Sequence, residues 1–194
     1  MDKRQQLVAC AFELFYCHGI HAVGINQVLQ EAGVAKKTLY HHFSSKDALI
    51  EAVVAYRHQE FKNWLISRIQ ASGEGLLAVQ GVFAALDDWF HERDPMMRPF
   101  HGCFFIHASG EYANPEHPVH QRCADHKQSI KQLFADILDQ VGATPEQVRQ
   151  GADTLALLKE GAIVQAHVCG ELDAGRQAGQ LAMTYLKQLG VQSE

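Results

Sequence analysis

Lys36, Lys37, Thr38, Tyr40 and His41 fall in one short run that sets two ammonium groups beside a hydroxyl, a phenol and an imidazole, with no acid among them. Such a set suits a phosphate backbone with base edges beside it. Lysines neutralise phosphates, Thr38 donates or accepts at a base or a phosphate, and Tyr40 and His41 reach backbone oxygens or a thymine methyl. Lys46 follows in the first turn of a further helix, whose positive dipole end also attracts phosphate. Asn26 completes the set expected to contact DNA. An isolated lysine is ordinarily a solvated surface charge; what sets this group apart is the scaffold that its spacing implies.

That scaffold is the stretch 24–46, GINQVLQEAGVAKKTLYHHFSSK, which reads as two short helices joined by a tight turn. Ile25, Val28, Leu29 and Ala32 recur at i, i+3, i+4 and i+7 and so share one helix face, which must be buried. Gly33 supplies the backbone freedom to stop one helix and start the next at a steep angle, and Val34 pins the turn to the core. The second helix is expected over about 35–43, with Leu39 and Phe43 turned inward and the polar set outward.

Residues 32–34 (AGV), 38–43 (TLYHHF) and 44–49 (SSKDAL), with the helix before them, resemble the TetR (TetR/AcrR) family of one-component bacterial regulators over roughly the first 50 residues. Two positions depart from the family pattern. Ala35 stands where a Ser or Thr usually caps the recognition helix, a contact worth about 1 kcal/mol. Gly24 stands where a Thr usually caps the preceding helix and touches phosphate. The resemblance implies an all-α chain: a three-helix helix-turn-helix domain over 1–46, a connector helix over about 45–70, and a helical ligand-binding and dimerisation domain over 47–194. It further implies a homodimer that reads a palindromic operator in double-stranded DNA as a repressor and is released by a small-molecule inducer.

At 194 residues and 47% hydrophobic, the chain can bury a full core. No run approaches the roughly twenty apolar residues of a membrane span, and the N-terminus reads as an amphipathic helix rather than a leader; the expected location is cytoplasmic, with no membrane partner. Five scattered cysteines without a CxxC pair argue for reduced thiols. The net charge of −5 is unevenly shared. Residues 1–62 carry seven Lys and Arg against six Asp and Glu, the rest ten against sixteen, so the acid lies away from the basic helix.

The first helix is expected from Lys3 to His18, with Leu7, Ala11, Leu14, Phe15 and His18 on its stripe, widened by Val8 and Phe12. Lys3 and Arg4 near its start are further phosphate candidates. Ser44 and Asp47 form a capping box for the long helix that follows, and Thr144-Pro145-Glu146-Gln147 is another helix start. Further helices are expected over about 76–92, 103–112, 119–141, 146–169 and 172–189, with no strand pattern.

The last two carry the dimerisation candidates, Leu157, Gly161, Val164 and Val168 on one and Gly175, Ala178, Gly179, Ala182 and Leu186 on the other. Small residues at helical spacing serve close approach of a second chain or packing within one chain; the sequence leaves both open. The expected ligand lining is Trp64, Phe83, Trp89, Phe100, Cys103, Phe104, His107, Glu111 and Phe134, among aromatics of which most are core. The histidines of the 91–126 segment have no metal-site spacing, so neither metal nor cofactor is expected. Cys103 reads either as a sensor thiol, giving a redox- or electrophile-sensing regulator, or as an inert buried hydrophobe. No G-x-S-x-G, P-loop, H-E-x-x-H or G-x-G-x-x-G occurs, which argues against an enzyme. An all-helical protein-interaction adaptor is the rival reading.

Overall fold

The structure is a computed structural model that describes residues 2–191. Among the described residues there are nine helices and no strand: α1 (Lys3–His18), α2 (Ile25–Ala32), α3 (Lys36–His42), α4 (Lys46–Ser72), α5 (Leu76–Phe90), α6 (Phe104–Glu111), α7 (Pro118–Gln140), α8 (Pro145–Cys169) and α9 (Ala174–Gln188). None is long and apolar enough to cross a membrane.

The helix starts follow local chemistry. Asp2 opens α1 with a capping box: its carboxylate accepts from Gln5 N at 2.7 Å, and the Gln5 side chain accepts from Asp2 N. Thr144 and Gln147 do the same for α8. The box expected from Ser44 is not the one formed. Ser45 holds the start of α4, accepting from Ala48 N at 3.1 Å, because Lys46 is already helical. Ala35 and Gly24 precede α3 and α2 without any side-chain cap.

The chain divides into two compact units. One comprises residues up to Phe61 together with Cys103–His126; the other comprises Lys62–Gly102 and the chain from Lys127 on. The reason lies in α6. Phe104 packs edge-on to Phe12 and Tyr16 of α1 at 5.4 and 6.3 Å, which draws α6 into the N-terminal unit. Leu7, Val8, Ala11, Phe12, Phe15 and Tyr16 form the buried face of α1, while His18, expected on that stripe, is exposed. Arg57 of α4 is buried under the Phe12, Phe61 and Tyr16 rings, at 5.2, 5.5 and 5.9 Å, and pairs with Glu60 at 3.2 Å. A guanidinium is tolerated out of water only with such partners.

In the second unit α5 is apolar nearly all round and is therefore central. It packs on α9, and the small residues of α9 permit the approach. A Cβ on Gly175 would stand 2.8 Å from Asp87 N, and one on Gly179 would stand 2.9 Å from Phe83 Cβ. This corrects one expectation. Gly175, Ala178, Ala182 and Leu186 are buried against their own chain, and Gly179 faces Phe83, so this stripe is an intrachain seam rather than a surface for a second copy.

Candidate nucleic-acid interface

α2 ends at Gly33 in the left-handed region, φ 61° and ψ 38°, and the turn is closed by Gly33 N to Gln30 O at 3.2 Å and Val34 N to Leu29 O at 3.1 Å. A residue with a Cβ enters that region at a cost, which is why the turn needs glycine. α1 grips both helices from behind. Gln6 Nε2 donates to Ala32 O at 2.9 Å, closing a carbonyl at the end of α2, and the Arg4 guanidinium lies 5.2 Å over the Phe43 ring.

The grip fixes which way α3 faces. Leu39 is fully buried and Phe43 nearly so; Lys36, Lys37, Tyr40 and His41 are exposed, Thr38 is half-buried, and Asn26 of α2 is exposed beside the turn. Lys36 Nζ lies 6.0 Å from the Tyr40 ring, a pairing of successive helical turns. Lys46, expected at a phosphate, has an intramolecular role: its Nζ donates to Ile20 O at 2.9 Å and lies 5.9 Å over the Phe15 ring.

The anticipated ligand residues are divided between the two units. Trp64, Phe83, Trp89, Phe100 and Phe134 belong to the second unit, where Trp64 Nε1 donates to Asp94 Oδ2 at 2.8 Å, Phe83 stacks on Phe134 at 6.2 Å and Trp89 meets Phe100 at 4.9 Å. Cys103, Phe104, His107 and Glu111 belong to the first. Phe104 is core there, and the Glu111 carboxylate is engaged by main chain, accepting from Ile20 N at 2.7 Å and His21 N at 2.6 Å. Nothing in the sequence pairs residues so far apart. The second unit has an open cleft of about 1050 Å³ beside Leu77, Gln140, Val141 and Gln147, and one of about 410 Å³ between Phe90, Phe100, His91 and His167; of the anticipated residues Phe100 alone lines either.

Four histidines of the 91–126 segment have partners within the fold. His91 Nδ1 lies 2.9 Å from Asp87 O, His120 Nδ1 lies 2.8 Å from Tyr112 O, and His117 Nδ1 accepts from Val119 N at 3.2 Å. His126 is buried, stacked on Phe105, with its Nδ1 3.1 Å from that of His58. Among the described residues no three His, Cys, Asp or Glu side chains are grouped to hold a metal. Cys103 and Cys123 are buried, Cys10 is half-buried, and Cys17 and Cys169 are exposed. Burial, with Glu31 and Glu13 nearby, pushes the Cys10 thiol above its ordinary pKa and away from thiolate chemistry.

On α8 the anticipated face is turned outward. Leu157, Val164 and Val168 are exposed, and a Cβ on Gly161 would meet nothing within 4 Å. Leu172 and, on α9, Leu181 are exposed as well.

An all-helical chain that opens on α1 and offers a basic α3 from a tightly turned helix pair is a helix-turn-helix DNA-binding protein. The family model for bacterial regulatory proteins of the tetR family matches residues 7–53. Over 164 residues, 84% of each chain, this one is 25% identical to the HTH-type transcriptional regulator YxaF of Bacillus subtilis (strain 168). Over 53 residues, 27% of this chain and 24% of the other, it is 45% identical to the HTH-type transcriptional activator FasR of Mycolicibacterium smegmatis. The crystal structure of SCO4454, a TetR-family transcriptional regulator from Streptomyces coelicolor, matches with a TM-score of 0.84 and 29% identity over 96% of this chain and 95% of that one. Residues 7–53 thus carry the helix-turn-helix of the tetR family of bacterial regulatory proteins, and the fold of the chain is that of a TetR-family transcriptional regulator.

Proposed function

We propose that the chain binds a palindromic operator as a homodimer and represses transcription until a small-molecule effector releases it. DNA contact falls to the N-terminal helices, up to about residue 46, and effector binding and dimerisation to residues 47–194. One observation carries the reading: α3 holds Leu39 fully buried and leaves Lys36, Lys37, Tyr40 and His41 to solvent with no acid between them. These residues, with Thr38, enter the major groove, and Asn26 contacts the flanking backbone. Lys46 contributes by holding the turn before α2.

A symmetric pair is needed because one short helix reads too few base pairs, and two related helices about 34 Å apart meet successive turns of the duplex. The α8 face supports the pairing: Leu157, Val164 and Val168 stand in solvent at helical spacing around Gly161, as an unpaired chain would show them. An effector acts by binding more tightly to the dimer whose α3 helices no longer match one turn.

The test is a salt titration of binding to duplex DNA selected from a random-sequence pool. Binding that weakens steeply with added salt, through release of counterions, and that is lost in Lys37→Ala and Tyr40→Ala chains with unchanged helix content, supports the reading. Salt-insensitive binding, or none, favours an adaptor that uses the same helices to pack on a protein.

A further inference from the structure

α6 ends at Glu111, and the carboxylate reaches the turn between α1 and α2. Oε1 accepts from Ile20 N at 2.7 Å and Oε2 from His21 N at 2.6 Å, with His21 Nδ1 3.1 Å from Oε2. Two successive amides that converge on one anion make a backbone nest. Gly19 precedes them at φ +85°, and a Cβ there would stand 3.3 Å from Glu111 Oε1. The other side of the same residue is held too, since Lys46 Nζ donates to Ile20 O. The Tyr112 ring lies 4.9 Å from that of His21.

The consequence falls on α2. Its N-cap is Gly24, which offers no side-chain acceptor, so no capping side chain fixes the direction in which the helix starts. The turn before it, held from α6 by Glu111, sets that start, while α1 grips the far end of α2 through Gln6. We propose that Glu111 is a positioning residue for DNA binding: it fixes the entry of α2 and, through the Gly33 turn, the angle at which α3 is offered. This inference rests on the reading of α3 as the DNA-contacting helix.

The sign of the effect separates positioning from charge. Removing an acid from a DNA-binding protein by itself strengthens attraction to phosphate. A fall in affinity on losing Glu111 therefore reports a misplaced helix.

The full chain is compared with its Glu111→Ala and Glu111→Gln variants by amide exchange and by binding to duplex selected from a random pool with the wild-type protein. Exchange at Ile20 and His21 should rise roughly tenfold or more in Glu111→Ala, as charge-assisted bonds to both amides are lost, while Leu39, in the core, exchanges as before. Affinity for the duplex should fall by about tenfold in Glu111→Ala. Glu111→Gln, which has the same shape but keeps a single acceptor, should lie between, and it carries the test if the alanine variant does not fold. Unchanged exchange at the two amides, or affinity equal to or above wild type, overturns the proposal. So does a rise in exchange spread evenly over the core, which marks general destabilisation. A wild-type chain that binds no duplex overturns the DNA-binding reading and this inference with it; wild-type binding with unaffected variants overturns this inference alone.

Discussion

Leu39 and Tyr40 are consecutive in α3, yet the first is 0% and the second 48% exposed. The contrast separates folding from function. Leu39→Ala should destabilise the chain by about 2–5 kcal/mol, the usual range for a core leucine, seen as a lower denaturation midpoint. Lys37→Ala should leave that midpoint alone and reduce the salt slope of DNA binding by about one.

Gly175 and Gly161 make a second pair of opposites. Gly175→Ala drives a methyl into the Asp87 backbone, which cannot yield as a side-chain end would, and should cost about 1–3 kcal/mol. Gly161→Ala meets open space within an α8 helix and should stabilise the isolated chain by about 0.5–1 kcal/mol through helix propensity. Denaturant melts of both variants check the signs. If α8 meets a second copy at Gly161, the same substitution should also weaken association.

Leu157 and Val168 are the most exposed large apolar side chains of α8, at 74% and 73%. A Leu157→Lys, Val168→Lys double variant should sediment as a monomer at concentrations where the wild type is a dimer, with helix content unchanged. A monomeric wild type at micromolar concentration would remove the dimer from the proposal.

Lys159 of α8 is almost wholly buried and donates to Glu160 Oε1 at 2.7 Å, and Lys127 of α7 donates to Oε2 of the same carboxylate. Burial by itself raises the Glu160 pKa, but the two ammonium groups outweigh it and hold the value below the ordinary 4.5. A depressed folded-state pKa means that the unfolded chain binds the proton first. The contribution to stability is therefore present above about the unfolded carboxylate value and is lost as pH falls through the lower folded value. Glu160→Gln should destabilise the chain at neutral pH by about 1–3 kcal/mol, through weakened hydrogen bonds to charged groups. It should also flatten the acid limb of the stability curve, as followed by denaturation between about pH 3 and pH 6.

Much of this molecule is legible in the order of its residues. The alternation of apolar and polar side chains at helical spacing, with Gly33, Thr144 and Pro145 as punctuation, determined an all-helical chain, the α2–α3 turn and the outward face of α3. These are local facts: a helix exposes or buries a face according to residues three and four apart. The same periodicity says that the Gly175–Leu186 stripe is buried but not against what, and only α5, with Phe83 and Asp87 at the seam, decided that the partner is the same chain. Glu111 is the sharper case. Its polarity is equally consistent with solvent, a ligand or a backbone amide, and the tertiary fold chose the amides of Ile20 and His21 because packing Phe104 on Phe12 brings the end of α6 to that turn. Contacts across such separations depend on how helices pack, which no local spacing encodes.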